Sequence, residues 1–249
     1  MNHPYIDALV ADGHITDASG ERHAIWPDSI SVEDGELLAR IVRESGAKRS
    51  LEIGMAWGLS TLYLCAALEK NGGARHVAVD PNQTSSYHGC GVLNAERAGF
   101  GDLVECIERP SFDALPQLLR DGERFDLVFI DGNHRFDYTL VDFFYAQRLV
   151  PVGGLVLLHD PWLQAIRKTV TYIFRNEAHM HLETTYMNPR AGLLTGLRSA
   201  LGFAMTDPHE PWIARFFARN RFPNLVAFRK AAEPTPEDEE RIWGVYKSF

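Results

Sequence analysis

A doubly wound α/β domain is the fold class this sequence predicts, and three observations predict it. Short apolar runs of strand length recur at 50–53, 76–80, 103–108, 125–131 and 155–160. Helical patterns lie between them, at about 59–70, 92–98, 112–120 and 136–150. No internal repeat or low-complexity segment interrupts the alternation. Strands alternating with helices of this length imply βαβ units and a parallel sheet covered on both faces.

The elements follow in order. Residues 1–48 read as a helical preface. After Trp26-Pro27 comes Ser31-Val32-Glu33-Asp34, a Ser-x-x-acid helix start, followed by Leu37, Leu38, Ile41 and Val42 at helical spacing. Gly46 is the expected stop. Beyond Asp160 a further helix is predicted over 163–176, and strand-like segments over 181–187 and 223–229. Between those two, residues 188–222 form an insertion rich in Arg and aromatics. Residues 233–249 begin acidic and close on Ile242, Trp243, Val245 and Tyr246, a short surface helix pinned by aromatics. The whole chain, 1–249, reads as a single domain.

Composition bounds the function. The chain is 45% hydrophobic and 23% charged, enough for a substantial core. A net charge of −8 argues against a nucleic-acid-binding surface, which needs clustered Lys and Arg. Cys65, Cys90 and Cys106 form no C-x-x-C pair and no disulfide framework, so reduced thiols are expected. The first residues lack the charged and apolar regions of a signal peptide, and no apolar run approaches the roughly 20 residues a membrane helix needs. The expectation is a cytoplasmic protein with a small-molecule substrate and no membrane partner.

In such sheets ligands bind beyond the carboxyl ends of the strands. The first strand of the alternation ends in Glu52-Ile53-Gly54-Met55-Ala56-Trp57-Gly58 and runs into a helix at Leu59. Gly54 allows a tight turn and Gly58 a close backbone approach, leaving free amides at a helix start. The nicotinamide fingerprint G-x-G-x-x-G fails here, because Ala56 and Leu59 stand where its second and third glycines belong. The next strand ends in Val79-Asp80-Pro81, which places an acid where ribose hydroxyls are held.

These residues, with 125–134 (Phe125 to His134, containing Asp131) and 152–160 (ending His159-Asp160), resemble class I S-adenosylmethionine-dependent methyltransferases. Within that superfamily the pattern is similar to the small-molecule O-methyltransferases around catechol O-methyltransferase and the antibiotic-sugar enzymes. The resemblance implies a Rossmann-like, mostly parallel seven-stranded sheet whose final strand is antiparallel. It implies S-adenosylmethionine as cofactor, with Gly54 and Gly58 facing its methionine part, Glu52 ordering that loop, Asp80 holding both ribose hydroxyls and Ser111 on the adenine side. Asp131 would lie beside the reaction centre. Nucleic-acid amino-methyltransferases of this fold carry an Asn/Asp-Pro-Pro-aromatic segment there, and Asp131-Gly132-Asn133-His134 differs.

Methyl transfer to a hydroxyl needs an aligned acceptor and either a base or a metal that lowers its pKa. Two expectations stand side by side. In one, Asp131 and Asp160 are metal ligands for Mg²⁺, as in the catechol-type sites. Those sites have an Asn directly after the second Asp, where this chain has Pro161, so His134, His159 or water would have to substitute. In the other, His134 or His159 is a catalytic base beside Asp131. The 188–222 insertion is read as an acceptor lid, with core packing or a homo-oligomer contact as the other uses of its aromatics. Outside methyl transfer, a cofactor-binding regulatory partner and a metal-dependent hydroxylase-type relative remain as alternatives.

Overall fold

The computed structural model describes residues 3–183, 185 and 224–234. The 188–222 insertion and most of the 233–249 segment lie outside the described residues. The described elements run α1 (Pro4–Asp12), β1 (His14–Thr16), β2 (Arg22–Ala24), α2 (Val32–Ser45), β3 (Arg49–Ile53), α3 (Leu59–Lys70), β4 (Arg75–Val79), α4 (Cys90–Arg97) and β5 (Val104–Ile107). They continue α5 (Ser111–Arg120), β6 (Leu127–Ile130), α6 (Phe136–Leu149), β7 (Leu155–His159), α7 (Gln164–Asn176), β8 (Met180–Leu182) and β9 (Leu225–Lys230).

Seven strands form one sheet in the order β5-β4-β3-β6-β7-β9-β8. Strands β3 to β7 pair in parallel, and β9 runs antiparallel between β7 and β8. The order reverses between β3 and β6, the place where a doubly wound sheet opens a crevice at its carboxyl edge. The predicted architecture is therefore observed, the antiparallel final strand included. The preface is more than helical. It also carries a hairpin, with Ile15 opposite His23, that the periodicity did not reveal because each strand has only three residues.

Alternation along the buried strands divides the core into two layers. Leu127 and Phe129 of β6, with Leu155 and Leu157 of β7, pack beside α1 to α4, against side chains such as Leu38, Ile41, Leu62 and Leu68. Val128, Ile130, Val156 and Leu158 face the other way, against Leu115, Phe143 and Ile173 of α5 to α7. Helix α2 begins as its sequence implies: Ser31 Oγ accepts from Asp34 N at 3.1 Å, and Gly46 ends it at φ 70°. Every residue of α3 from Leu59 to Leu68 is buried, so this helix is a core element and has almost no polar face. None of the described helices is long and apolar enough to cross a membrane.

Gly58 has a different reason to be glycine from the one the sequence suggests. Its φ is 83°, and a Cβ there would stand 2.9 Å from the Gly91 backbone at the start of α4. The close approach that Gly58 allows is between chain segments; the residue itself does not reach the cavity described below. Gly58→Ala combines a left-handed alanine with that clash, and should lower stability by roughly 1–3 kcal/mol in urea unfolding. An unchanged midpoint would show that the α3–α4 approach relaxes freely.

Candidate active site

A cavity of about 470 Å³ opens beyond the carboxyl ends of β3, β4, β6 and β7. That volume lies within the usual range of small-molecule sites. It is built from turns that the strands aim at a common point, and its two ends differ in chemistry.

At one end is the turn after β3. Gly54, Ala56 and Gly58 have φ of 92°, 47° and 83°. Such alternation turns successive amides to one side, a concave donor surface. Asp80 at the end of β4 occupies part of it: its Oδ2 accepts from Met55 N at 3.0 Å and Ala56 N at 2.8 Å, and its Oδ1 from Asn82 N at 2.8 Å. Gly54 is fixed by closeness, since a Cβ would lie 2.2 Å from the Asp131 carbonyl oxygen. Ser111, the first residue of α5, lines the same end, with the buried carboxyl of Asp142 hydrogen-bonded behind it. Burial pushes that carboxyl up to about 6, and the bond to Ser111 only partly offsets it.

Glu52 stands behind the turn that the resemblance has it order. It does not line the cavity. It is fully buried on the α3 side of the sheet, where Oε2 accepts from Thr61 Oγ1 and lies 3.2 Å from His76 Nε2. Ser50 Oγ lies 2.7 Å from the other ring nitrogen of His76. Ser, His and Glu in this order resemble a hydrolytic triad, but all three are 0% exposed and no substrate reaches them. Glu52 orders the turn from behind, through the first turn of α3.

At the other end five ionisable side chains converge. His159 Nδ1 lies 3.0 Å from Asp131 Oδ1, and Nε2 lies 3.4 Å from Asp34 Oδ2. His134 Nε2 stands 3.3 Å from Asp131 Oδ1 and 3.5 Å from Asp160 Oδ2. Asp160 has a left-handed backbone, φ 54°, and its Oδ1 accepts from Trp162 Nε1 at 2.9 Å and from Asn224 Nδ2. Asp131, His134, His159 and Asp160 are thus brought together as the sequence suggested. Asp34 and Asn224 were not foreseen: Asp34 carries a complete explanation as a helix-cap residue, and Asn224 adjoins a segment with no motif.

The electrostatics decide the protonation of this cluster. Burial opposes a charge on His159, but Asp131, then Asp34 and Asp160, outweigh it and raise its pKa to about 10. His134 is also raised, chiefly by its hydrogen bond to Asp131. The carboxyls of Asp131 and Asp34 are lowered; burial opposes this and the bonds and charge of the histidines prevail. The surrounding carboxylates thus favour the protonated ring of His159, which weighs against its serving as a base. Elsewhere in the wall, Pro27 to Ile30 of the preface and Tyr87 complete the lining, which the sequence did not suggest. Among the described lining residues there are four carboxylates, Asp28, Asp80, Asp131 and Asp160, and no Lys or Arg.

The folded pKa of His159, about 10, lies above its ordinary 6.5. Its contribution to stability is then fully present below about 6.5 while the carboxylates stay ionised, and is lost as pH rises through about 10. In chelator, the stability advantage of the wild type over His159→Gln should shrink steadily from pH 6.5 to pH 10.5 in urea titrations. A difference independent of pH would mean that His159 is neutral in the fold.

A family model described as a methyltransferase domain matches residues 51–161. The catechol O-methyltransferase of Mycobacterium tuberculosis is 30% identical over 132 residues, 53% of this chain and 56% of that protein. Caffeoyl-CoA O-methyltransferase 2 of Petunia hybrida is 30% identical over 133 residues, 51% of each. The chain spans about half the length of the curated relatives it matches. Among solved structures, cofactor-bound Rv0187 from MTB superposes with a TM-score of 0.59 at 25% identity, over 73% of this chain and 82% of that one. The O-methyltransferase from Bacillus cereus in complex with SAH has the same fold, with a TM-score of 0.57 at 19% identity over 92% of each chain.

Proposed function

We propose that this chain, whose residues 51–161 match a methyltransferase-domain family model, is a class I S-adenosylmethionine-dependent methyltransferase that transfers the methyl group to a hydroxyl of a small-molecule acceptor such as a sugar or secondary metabolite. One observation carries the reading. A single cavity joins the Gly54–Asp80–Ser111 end, suited to a nucleoside and an amino acid, to the Asp131–His134–Asp160 end, suited to deprotonating a hydroxyl.

The cofactor is already activated at sulfur, so the chain's tasks are alignment, deprotonation and exclusion of water. Because Asp80 takes the Met55 and Ala56 amides, the hydrogen bonds to the methionine carboxylate fall to the first amides of α3, where Leu59 and Ser60 line the cavity. Asp80 gives part of its accepting capacity to three backbone amides, and a carboxylate offers about four lone-pair sites. The capacity left on Oδ1 suits one ribose hydroxyl more readily than two. The four carboxylates of the lining favour the cationic sulfonium of the cofactor over the neutral thioether of its product.

The donor set at the second end fits a divalent cation. Asp131, His134 and Asp160 each offer a ligand atom, and these lie within 4.8 Å of one another. Two carboxylates with one imidazole accept Mg²⁺ or Mn²⁺, His134 serving in place of the asparagine that Pro161 displaces. When bound, such an ion lowers the pKa of an acceptor hydroxyl. His159, held as a cation between Asp131 and Asp34, is a positioning group. The second reading makes His134 the base without metal. Its ring is 40% exposed toward the cavity and is oriented by Asp131 at 3.3 Å.

Asp80→Ala should weaken S-adenosylmethionine binding by about 1.5–3 kcal/mol in calorimetry, as loss of a charged hydrogen bond does. Unchanged affinity would remove Asp80 from the site, and tight NADH binding in place of S-adenosylmethionine would overturn the reading.

Release of S-adenosylhomocysteine in the presence of a panel of hydroxylated acceptors tests turnover against a purely binding role. That release should stop after EDTA and return with Mg²⁺ or Mn²⁺, while cofactor affinity is kept. Full turnover in chelator together with a large loss in His134→Ala would assign the work to the histidine instead.

A further inference from the structure

Away from the cavity, the N-terminal hairpin presents a second group of metal-binding side chains. Asp17 follows β1, and its carboxylate is anchored before any ligand arrives: Oδ1 accepts from Ser19 N at 2.8 Å, Ser19 Oγ at 2.7 Å and Glu21 N at 3.0 Å. Only Oδ2 remains for other partners, and His23 Nε2 of β2 stands 2.9 Å from it. The Asp17 and His23 side chains are 7% and 12% exposed. The His23 ring stacks nearly parallel to Trp57, at 5.6 Å between centroids, and to His88, at 4.4 Å.

The Asp17–His23 pair explains two of these residues but not the third. His88 lies in the loop after β4 with a left-handed backbone, φ 52°, followed by Gly89 at φ 70°. Among the described residues no hydrogen bond accounts for its ring, which is exposed and stacked on His23. Yet Asp17, His23 and His88 each offer a ligand atom, all within 4.8 Å of one another. None of the three lines the cavity.

We propose that Asp17, His23 and His88 bind a divalent transition-metal ion such as Zn²⁺, which ties the N-terminal hairpin to the loop after β4. One carboxylate and two imidazoles are a donor set that favours borderline ions over Mg²⁺ or Ca²⁺. Asp17 Oδ2 and His23 Nε2 are already spaced as neighbouring ligands of one ion are, with the metal taking the place of the proton between them. His88 closes the site by turning its exposed ring from its stack toward the same point, and water completes the coordination. The consequence reaches the cavity wall. The hairpin leads directly into Pro27 to Ile30, and the loop carrying His88 also carries Tyr87, both parts of the lining. An ion here would fasten those two walls together without touching the reacting groups.

The test uses the full chain with Asp131→Asn and Asp160→Asn, which silences the donors at the cavity. Titrated with Co²⁺ at micromolar concentration, this protein should retain one equivalent with visible d–d absorption that Zn²⁺ displaces, and Zn²⁺ should raise its thermal midpoint. Adding His88→Asn, a residue that tolerates the left-handed backbone, should weaken Co²⁺ binding by at least about tenfold and remove the Zn²⁺ shift. Circular dichroism matched to the parent shows that the variant is folded, and His23→Gln provides the same reading from the buried ligand. Absence of a retained equivalent, or binding that neither substitution weakens, would overturn the proposal.

Discussion

The turn between β3 and α3 depends on the Asp80 carboxylate. A turn that places Gly54, Ala56 and Gly58 at positive φ points its amides inward, where they need an acceptor or cost the free energy of unpaired donors. Asp80 supplies that acceptor from the neighbouring strand. Everything around it follows from the resulting closeness. Gly54 lies against the Asp131 carbonyl, and Gly58 lies against Gly91, so the ends of β3, β4 and β6 and the start of α4 are set relative to one another by contacts that admit no side chain. The cavity is what this arrangement leaves open above the sheet.

The other end of the cavity is organised by charge. Three carboxylates, Asp34, Asp131 and Asp160, come from α2, β6 and β7 and surround one nearly buried imidazole. Isolated, any one of them would be expensive to bury; together with His159 they form a compensated group. The surplus is still negative, and a divalent cation or the sulfonium of a cofactor would neutralise it. The same residues that hold His159 protonated thus create the demand for positive charge in the cavity.

The preface has a part in this that its position at the chain terminus conceals. Asp34, at the start of α2, caps its own helix through Ser31 and also reaches His159 at 3.4 Å. Pro27 to Ile30 form a wall of the cavity, and Tyr87 faces them from the loop after β4. Burial, then the charges of Asp80, Asp28 and Asp131, raise the pKa of the Tyr87 phenol, so it remains a neutral hydrogen-bonding group. A domain whose parallel sheet supplies the turns at one end of the cavity therefore draws a wall of that cavity, and part of its ion cluster, from residues outside the sheet.

From the sequence alone the strand–helix alternation could be read, because apolar runs of strand length and helical periodicity are local properties of the chain. The turn after β3, Asp80, and the pairing of Asp131 with His134 and of His159 with Asp160 were legible for the same reason: each lies at the end of a strand, and strand ends of a parallel sheet share one edge. What each of these residues touches was decided by tertiary structure. Glu52 and Gly58 belong by motif to the turn after β3, yet the strand's alternation turns Glu52 toward His76 and Thr61, and the α4 backbone claims the space beside Gly58. Asp34 and Asn224 reach the ion cluster across sequence separations of 125 and 64 residues, distances that no local pattern encodes. The hairpin carrying Asp17 and His23 meets His88 for the same reason. Periodicity determines which face of an element is buried, but only packing determines which other element lies against it.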